Sequence, residues 1–78
     1  MASAHTPRYQ QFLERLRAAR LAVGPTQTEV ARRLGKPQSF ISKSESGERR
    51  VDAVEFADFA RIYEQRMETF FEPDRRRR

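Results

Sequence analysis

The sequence has no cysteine and no tryptophan, and it has only three glycines and one histidine among 78 residues. Without cysteine, disulfides, thiolate nucleophiles and cysteine-ligated metals are all excluded. The longest apolar run covers only a few residues, which predicts neither a secretory signal peptide nor a membrane span. These absences make a soluble, cytoplasmic protein the expectation.

The residues that enzymes use are also scarce or unsuitably spaced. The glycines form no phosphate-cradling loop, and no nucleophile stands at a suitable spacing from a base. The carboxylates are scattered over helix caps and solvent faces, and the lone His5 lies near a terminus. We therefore expect no catalytic activity, no cofactor, no metal site and no small-molecule substrate.

The length of the chain predicts one domain with a small core, which tight helix packing or a partner subunit has to supplement. Four of the 16 basic residues are Arg75 to Arg78, so the rest of the chain has 12 basic against 11 acidic residues, a net charge of +1. Any affinity for nucleic acid must therefore come from locally placed charges. We expect a frayed N-terminus at 1–5, a folded domain at 6–72 and a solvated basic tail at 73–78.

Apolar residues recur at helical spacing and no segment alternates like a strand, which predicts an all-α, compact bundle of four or five short helices. Thr6 is placed to cap the first helix, Pro7 to occupy its first turn and Gly24 to end it. Arg20 lies inside the apolar stripe of this helix, so it either extends to solvent or meets a buried carboxylate. The stripe comprises Tyr9, Phe12, Leu13, Leu16 and Val23.

Two later helices share the same kind of start. Thr26 has capping-box spacing to Glu29 at the beginning of the second helix, which Gly35 ends. Asp52 and Glu55 repeat this spacing at the start of the fourth helix. The second helix offers Val30, Ala31 and Leu34 to a core, and the fourth offers Val54, Phe56, Phe59, Ala60, Ile62 and Tyr63.

A short fifth helix is predicted around residues 68–71, before Pro73. Its apolar residues either close the core or, on an exposed peripheral element, form a two-fold dimer interface. The candidates for dimer contacts are Met67, Phe70 and Phe71.

The third helix, expected from about Pro37 to Ser46, has two sharply different faces. At about 100° per residue, amides, hydroxyls and one ammonium group fall on one side, and larger apolar groups fall on the other. A polar face of this kind is either simply solvated or suited to reading a polar surface such as DNA. The polar side comprises Gln38, Ser39, Ser42 and Lys43, and the other side comprises Phe40, Ile41 and Ser44.

Over roughly residues 13–63 the chain resembles the lambda-repressor-like helix-turn-helix regulators of the Cro or Xre type. Many positions match at fixed spacing, which makes the resemblance specific. The matching pattern is Arg20-x-x-x-Gly24-x-Thr26-Gln27-x-Glu29-x-Ala31-x-x-Leu34-Gly35, continuing with Gln38-Ser39-x-Ile41-Ser42-Lys43-x-Glu45-x-Gly47. The helix-turn-helix itself then occupies about residues 26–47.

The resemblance implies base-reading positions at Gln38, Ser39 and Lys43 on a recognition helix in the major groove. It also implies that Gln27 braces Gln38, and that Arg20 forms an ion pair with Glu45. In such a frame several other polar residues lie close to the DNA. These candidate DNA-binding residues are Gln27, Ser42, Ser46, Arg49 and Arg50.

Two positions depart from the family pattern. Ser44 stands where a larger apolar or aromatic residue is expected, which predicts looser packing beneath the third helix. Glu48 places an anion near the expected path of the phosphates.

The function that this pattern indicates is sequence-specific binding of double-stranded DNA by a small transcriptional repressor or autoregulator. A homodimer on a palindromic operator is the expected assembly. Antitoxins, restriction-system controllers and phage switches use the same binding mode and remain alternatives. A protein-interaction module that has lost DNA binding is the alternative of another class.

Overall fold

The computed structural model describes residues 6–71, and within this range no strand forms. The all-α prediction is confirmed. None of the helices in the described range combines the length and the apolar character needed to cross a bilayer. The expected frayed segment at 1–5 and the basic tail at 73–78 lie outside the described residues. The elements are α1 (Pro7–Val23), α2 (Gln27–Leu34), α3 (Gln38–Ser46), α4 (Ala53–Ile62) and a closing 3-10 helix (Met67–Phe71).

Side-chain caps fix where three of the helices begin. The Thr6 hydroxyl accepts from the Tyr9 N–H at 3.1 Å, and the Thr26 hydroxyl accepts from the Glu29 N–H at 3.1 Å. The Asp52 carboxylate likewise caps α4. These bonds satisfy amide groups that have no partner within the helix.

The reciprocal half of the capping box forms only at α4. There the Glu55 N–H donates to Asp52 at 2.8 Å, and the Asp52 N–H donates to the Glu55 carboxylate at 3.0 Å. In α2 the Glu29 carboxylate instead pairs with Arg32 and lies 3.6 Å from Arg33. The full box predicted at Thr26 is therefore wrong, because arginines one turn later take up the carboxylate.

Gly35 makes the sharp turn between α2 and α3. Its φ of 68° lies in the left-handed region, which non-glycine residues rarely adopt. A side chain here would meet no other group within 4 Å, so the backbone conformation alone requires glycine. The Lys36 N–H then donates to the Ala31 carbonyl at 2.9 Å, which satisfies the end of α2 and sends the chain directly into α3.

The core lies between α1, α4 and the helix-turn-helix pair. Aromatic rings dominate one end of it, where Phe56 makes edge contacts with both Phe12 and Phe70 at centroid distances of 5.0 Å. Such contacts add to the stabilisation from apolar burial. The buried apolar residues are Phe12, Leu13, Leu16, Val30, Ala31, Ile41, Phe56, Phe59, Ala60, Tyr63 and Phe70.

Two apolar residues do not lie where the sequence pattern predicts, and a third settles one open alternative. Val23 is 41% exposed at the last position of α1, and Val54 is 73% exposed in the first turn of α4. Phe70 is only 3% exposed, and its carbonyl accepts a hydrogen bond from Arg15 Nη1 at 2.8 Å. Phe70 therefore belongs to the core, which is the first of the two alternatives that the sequence left open for it.

An arginine side chain fills the space beneath α3. Ser44 is fully buried and donates to the Phe40 carbonyl at 2.7 Å, while Arg49 Nη1 donates to the Ser44 hydroxyl at 3.2 Å. The Arg49 guanidinium lies 4.2 Å from the centre of the Phe40 ring and makes two 3.0 Å bonds to Glu55. The looser packing expected from Ser44 is therefore not found, because the small side chain makes room for the guanidinium.

The Arg49–Glu55 pair predicts a pH dependence of stability. Hydrogen bonding from the Arg49 guanidinium holds the pKa of Glu55 below its ordinary value. Because the folded-state pKa is lowered, this stabilisation is fully present above the unfolded-state pKa of about 4.3 and is lost as pH falls through the folded-state value.

Glu55→Gln removes this charge and keeps an oxygen that can accept from the Asp52 N–H. We expect the variant to be less stable than the wild type at neutral pH. The difference should shrink as pH falls below about 4.3. Urea unfolding across this range measures it, and a difference that is unchanged at about pH 3 would contradict the assignment.

Candidate nucleic-acid interface

The polar face of α3 points outward. Gln38, Ser39 and Lys43 are exposed and Ser42 is half-buried, while Ile41 is fully buried on the opposite side. The sequence predicts this two-faced arrangement from helical spacing alone. A face carrying an amide, two hydroxyls and an ammonium group can both donate and accept hydrogen bonds at an opposing polar surface.

A buried ion pair holds α3 against α1. Arg20 Nε lies 2.6 Å from Glu45 Oε2, and Arg20 Nη2 donates to Glu45 Oε1 at 3.1 Å. The exposed fractions of the two side chains are 9% and 4%. The third nitrogen, Arg20 Nη1, donates to the Pro25 carbonyl at 3.2 Å, and the hydrogen bonds to Glu45 raise the pKa of Arg20. The arginine in the apolar stripe thus meets its carboxylate in the core.

Hydrogen bonds extend from this ion pair to the surface of α3. Gln27 Nε2 donates to Glu45 Oε1 at 3.0 Å. Gln38 Nε2 in turn donates to Gln27 Oε1 at 2.7 Å. The structure therefore joins the core pair, the first residue of α2 and the first residue of α3 in one continuous network. Side chains held in this way lose less freedom when they bind a partner.

The start of α2 lies beside this network. Gln27 is the first residue of α2, and the amide groups of the first helical turn have no acceptor within the helix. The aligned peptide dipoles add partial positive charge at this end. Backbone amides and the Gln27 side chain thus stand together where an anionic oxygen is favoured.

Arg17 of α1 is a residue that the sequence reading missed. It lines a polar recess of about 220 Å³ together with four residues already singled out. Arg17 lies one turn before Arg20, and residues three apart lie on neighbouring parts of a helix surface. This spacing is the sequence feature that could have identified Arg17. The recess is lined by Arg17, Gln27, Ser42, Glu45 and Ser46.

The residues after α3 do not form a uniform cationic patch. The Ser46 hydroxyl donates to the Lys43 carbonyl and accepts from the Glu48 N–H, both at 3.3 Å. Arg50 is exposed, with its guanidinium 4.4 Å from the centre of the Tyr9 ring. Arg49 is committed to Glu55 and Ser44, so we assign it to packing and not to the DNA-facing set.

A second feature, the apolar groove, lies where α1 begins. It has a volume of about 750 Å³, and no residue of α3 lines it. Phe71 is 48% exposed at its edge and stacks on Phe12 at a centroid distance of 5.6 Å, and Met67 is 41% exposed on the same 3-10 helix. The other apolar lining residues are Pro7, Tyr9, Val51, Ala53 and Phe56, and polar or charged side chains at its rim are Thr6, Arg8, Arg50 and Asp52.

Residues 11–68 match the family model described as a helix-turn-helix domain. Among solved structures, the chain is similar to an XRE-family like protein from Pseudomonas syringae pv. tomato str. DC3000. The two share 50% sequence identity, the match covers 82% of this chain and 78% of that chain, and the TM-score is 0.77. No curated protein matches the sequence significantly.

Glu45→Ala tests the ion pair. It leaves the Arg20 guanidinium buried without its carboxylate, which destabilises a protein by about 3–5 kcal/mol. We expect a clear fall in the melting temperature, measured by circular dichroism. Glu48→Ala is the control, because removal of an exposed glutamate should change stability by less than about 0.5 kcal/mol. A melting temperature within about 1 °C of the wild type for Glu45→Ala would contradict the buried pair.

Proposed function

Because this chain belongs to the Xre-type helix-turn-helix family, we propose that it is a transcription regulator that binds double-stranded DNA sequence-specifically through α3. The observation that carries the proposal is the exposed polar face of α3, which is held from behind by Ile41 and by the Arg20–Glu45 pair. An α-helix fits the major groove, where each base pair offers a distinct pattern of donors and acceptors. A rigid helix with exposed amide, hydroxyl and ammonium groups suits that pattern.

Three residues of α3 are proposed to read bases. Gln38, at the N-terminal end that enters the groove first, offers an amide to a base edge. Lys43 donates to guanine or to a phosphate, one turn further along. Ser39 lies beside Gln38, and its short side chain allows close approach of the helix to the bases. Ser42 lies deeper and supports the same face.

Contacts to phosphates are proposed to set the position of α3 in the groove. Gln27 and the amides at the start of α2 suit one phosphate, and Arg17 lines the same recess. Ser46 and Arg50 follow α3 and suit the next part of the backbone. Glu48 is exposed between them, so we expect these contacts to be separate points and not a continuous basic clamp.

We propose a homodimer as the assembly on DNA, with a second copy of this chain covering the apolar groove. Phe71 and Met67 expose apolar surface at this end of the molecule, and the groove offers an apolar floor for the partner's ring. In a two-fold dimer the two α3 helices would be about 34 Å apart and would read a palindromic operator. Bound in this way, the protein would act as a repressor by occupying its operator.

Selection of binding sites from random DNA duplexes tests the function. We expect enrichment of a palindrome whose half-sites are about one helical turn apart. Gln38→Ala should lose about 1–3 kcal/mol of discrimination at one position in each half-site. Arg50→Ala should weaken binding to all DNA sequences alike, and it should lower the slope of log affinity against log salt concentration by about one. Fluorescence anisotropy on the selected site measures both effects.

The comparison of these two variants separates DNA reading from a protein-interaction role. Arg49→Ala is an informative control for Arg50→Ala, because the Arg49 guanidinium is paired with Glu55 and should affect stability more than the salt slope. Failure to enrich any sequence, with no salt-dependent DNA affinity, would overturn the proposal. Binding that is unchanged in both Gln38→Ala and Arg50→Ala would overturn the assigned roles.

Phe71→Ser tests the dimer. Loss of the exposed ring at the edge of the apolar groove should weaken self-association, and sedimentation velocity should then show a shift toward monomer. Val54→Ser is the matched control, since Val54 is 73% exposed and does not line the groove. Equal dimer content in Phe71→Ser and the wild type would exclude this surface as the interface.

A further inference from the structure

The apolar groove at the start of α1 combines the volume and the lining of a small-molecule site. Its volume is about 750 Å³, and ligand sites in proteins occupy about 300–1,000 Å³ with mostly apolar walls and a few polar groups. Aromatic rings form much of its floor. Phe12 and Phe56 lie edge to face at a centroid distance of 5.0 Å, and the Phe71 ring stacks on Phe12. The apolar part of a ligand would be removed from water against these rings.

The charged groups at the rim of the groove are mainly cationic. Arg8 and Arg50 both line it, and neither guanidinium is paired with a carboxylate within the described part of the chain. The carboxylate at the rim, Asp52, is already used as the cap of α4, where it accepts from the Glu55 N–H at 2.8 Å. The Arg50 guanidinium lies 4.4 Å from the centre of the Tyr9 ring, so a cation stands directly beside the apolar floor.

We infer that the groove binds a small amphipathic carboxylate, such as a medium-chain fatty acid, and that this ligand releases the protein from its operator. The planar fork of an arginine matches the two oxygens of a carboxylate and holds them by parallel hydrogen bonds. A neutral ligand of the same shape lacks this interaction, and a cationic one is repelled by Arg8 and Arg50. The release from DNA rests on the proposed function, whereas the binding of the carboxylate does not.

Arg50 connects the groove to the proposed DNA-binding surface. It lines the groove, and it is also the exposed cation after α3 to which we assign a phosphate contact. A guanidinium that holds the ligand's carboxylate is no longer available to a phosphate. The alkyl chain of the ligand would also occupy the floor that receives the aromatic ring of the second copy in the proposed dimer. Both effects lower the affinity for a palindromic operator, because binding through two half-sites requires the dimer.

Calorimetric titration with octanoate, without DNA, tests the site. We expect one ligand per chain, with affinity rising about fourfold for each added methylene from hexanoate through octanoate to decanoate. 1-Octanol has the same chain without the charge, and octylammonium has the opposite charge. Both should bind more weakly than octanoate by about tenfold or more. No binding of octanoate, or equal affinity for octanoate and 1-octanol, would overturn the proposed ligand class.

Two matched pairs of variants locate the ligand. Arg50→Met keeps an apolar stem but removes the charge, and it should weaken octanoate binding about tenfold. Arg61→Met is its control, because Arg61 is an exposed arginine of α4 that does not line the groove. Ala53→Phe places a ring in the groove and should weaken octanoate binding by about tenfold or more. Val54→Phe is its control, since Val54 is 73% exposed and lies outside the groove.

The melting temperature of each variant shows whether it is folded. Unchanged octanoate affinity in a folded Ala53→Phe would overturn the groove as the site. Unchanged affinity in Arg50→Met would overturn the role of its guanidinium.

Fluorescence anisotropy on the selected operator measures the release from DNA. Saturating octanoate should weaken operator binding by about 5–150-fold, and the operator should weaken octanoate binding by the same factor, because coupling between two sites is reciprocal. The slope of log affinity against log salt concentration should fall by at least about one. Operator affinity that is unchanged by bound octanoate would overturn the release.

The outcomes separate this inference from the proposed function. A protein that selects a palindrome but does not bind octanoate overturns this inference alone. A protein that binds octanoate but selects no DNA sequence supports the ligand site, and it overturns the proposed function together with the release from DNA.

Discussion

The Arg20–Glu45 ion pair is the interaction on which the rest of the arrangement depends. α3 is a short helix in which only Ile41 and Ser44 are fully buried, so apolar contacts alone give it a small anchor. Two charged hydrogen bonds to α1 supply a second anchor with a fixed geometry, and charge-assisted bonds are stronger than neutral ones. The position of α3 against α1 is fixed by this pair.

A second pair, Arg49 with Glu55, fixes the chain where it leaves α3. Together with the Phe40 ring and the Ser44 hydroxyl it connects the end of α3 to the start of α4. In both pairs the arginine is neutralised by a carboxylate of the same molecule. Apart from Arg75 to Arg78 the chain is nearly neutral, so the cations left for a partner are few and individually placed. In the proposed function, sequence discrimination then depends more on shape and on hydrogen-bond pattern than on bulk charge.

Much of the fold was predictable because local signals are strong in this chain. Thr6 with Pro7, the glycine turn at Gly35 and the acidic cap at Asp52 mark helix limits by backbone chemistry that does not depend on tertiary packing. The two-faced character of α3 followed from spacing. The position of Arg20 in an apolar stripe left two alternatives, extension to solvent or a buried carboxylate, and the family resemblance indicated Glu45 as the carboxylate.

The features that were not predicted depend on contacts between distant segments or on competition for one group. The sequence left open whether Phe70 closes the core or lies at an interface, because the answer depends on the space that α1 and α4 leave for its ring. Arg49 carries the same charge as Arg50, and only the position of Glu55 separates their roles. Arg17 joined the candidate site because helices α1, α2 and α3 converge on one recess.

The most direct test of the central claim is an NMR titration of the labelled protein with a selected DNA site. The account predicts contacts between the Gln38 side-chain amide and major-groove base protons, with large shift changes along α3 and at the start of α2. Shift changes confined to α4 and the closing 3-10 helix, with the α3 signals unmoved, would contradict it.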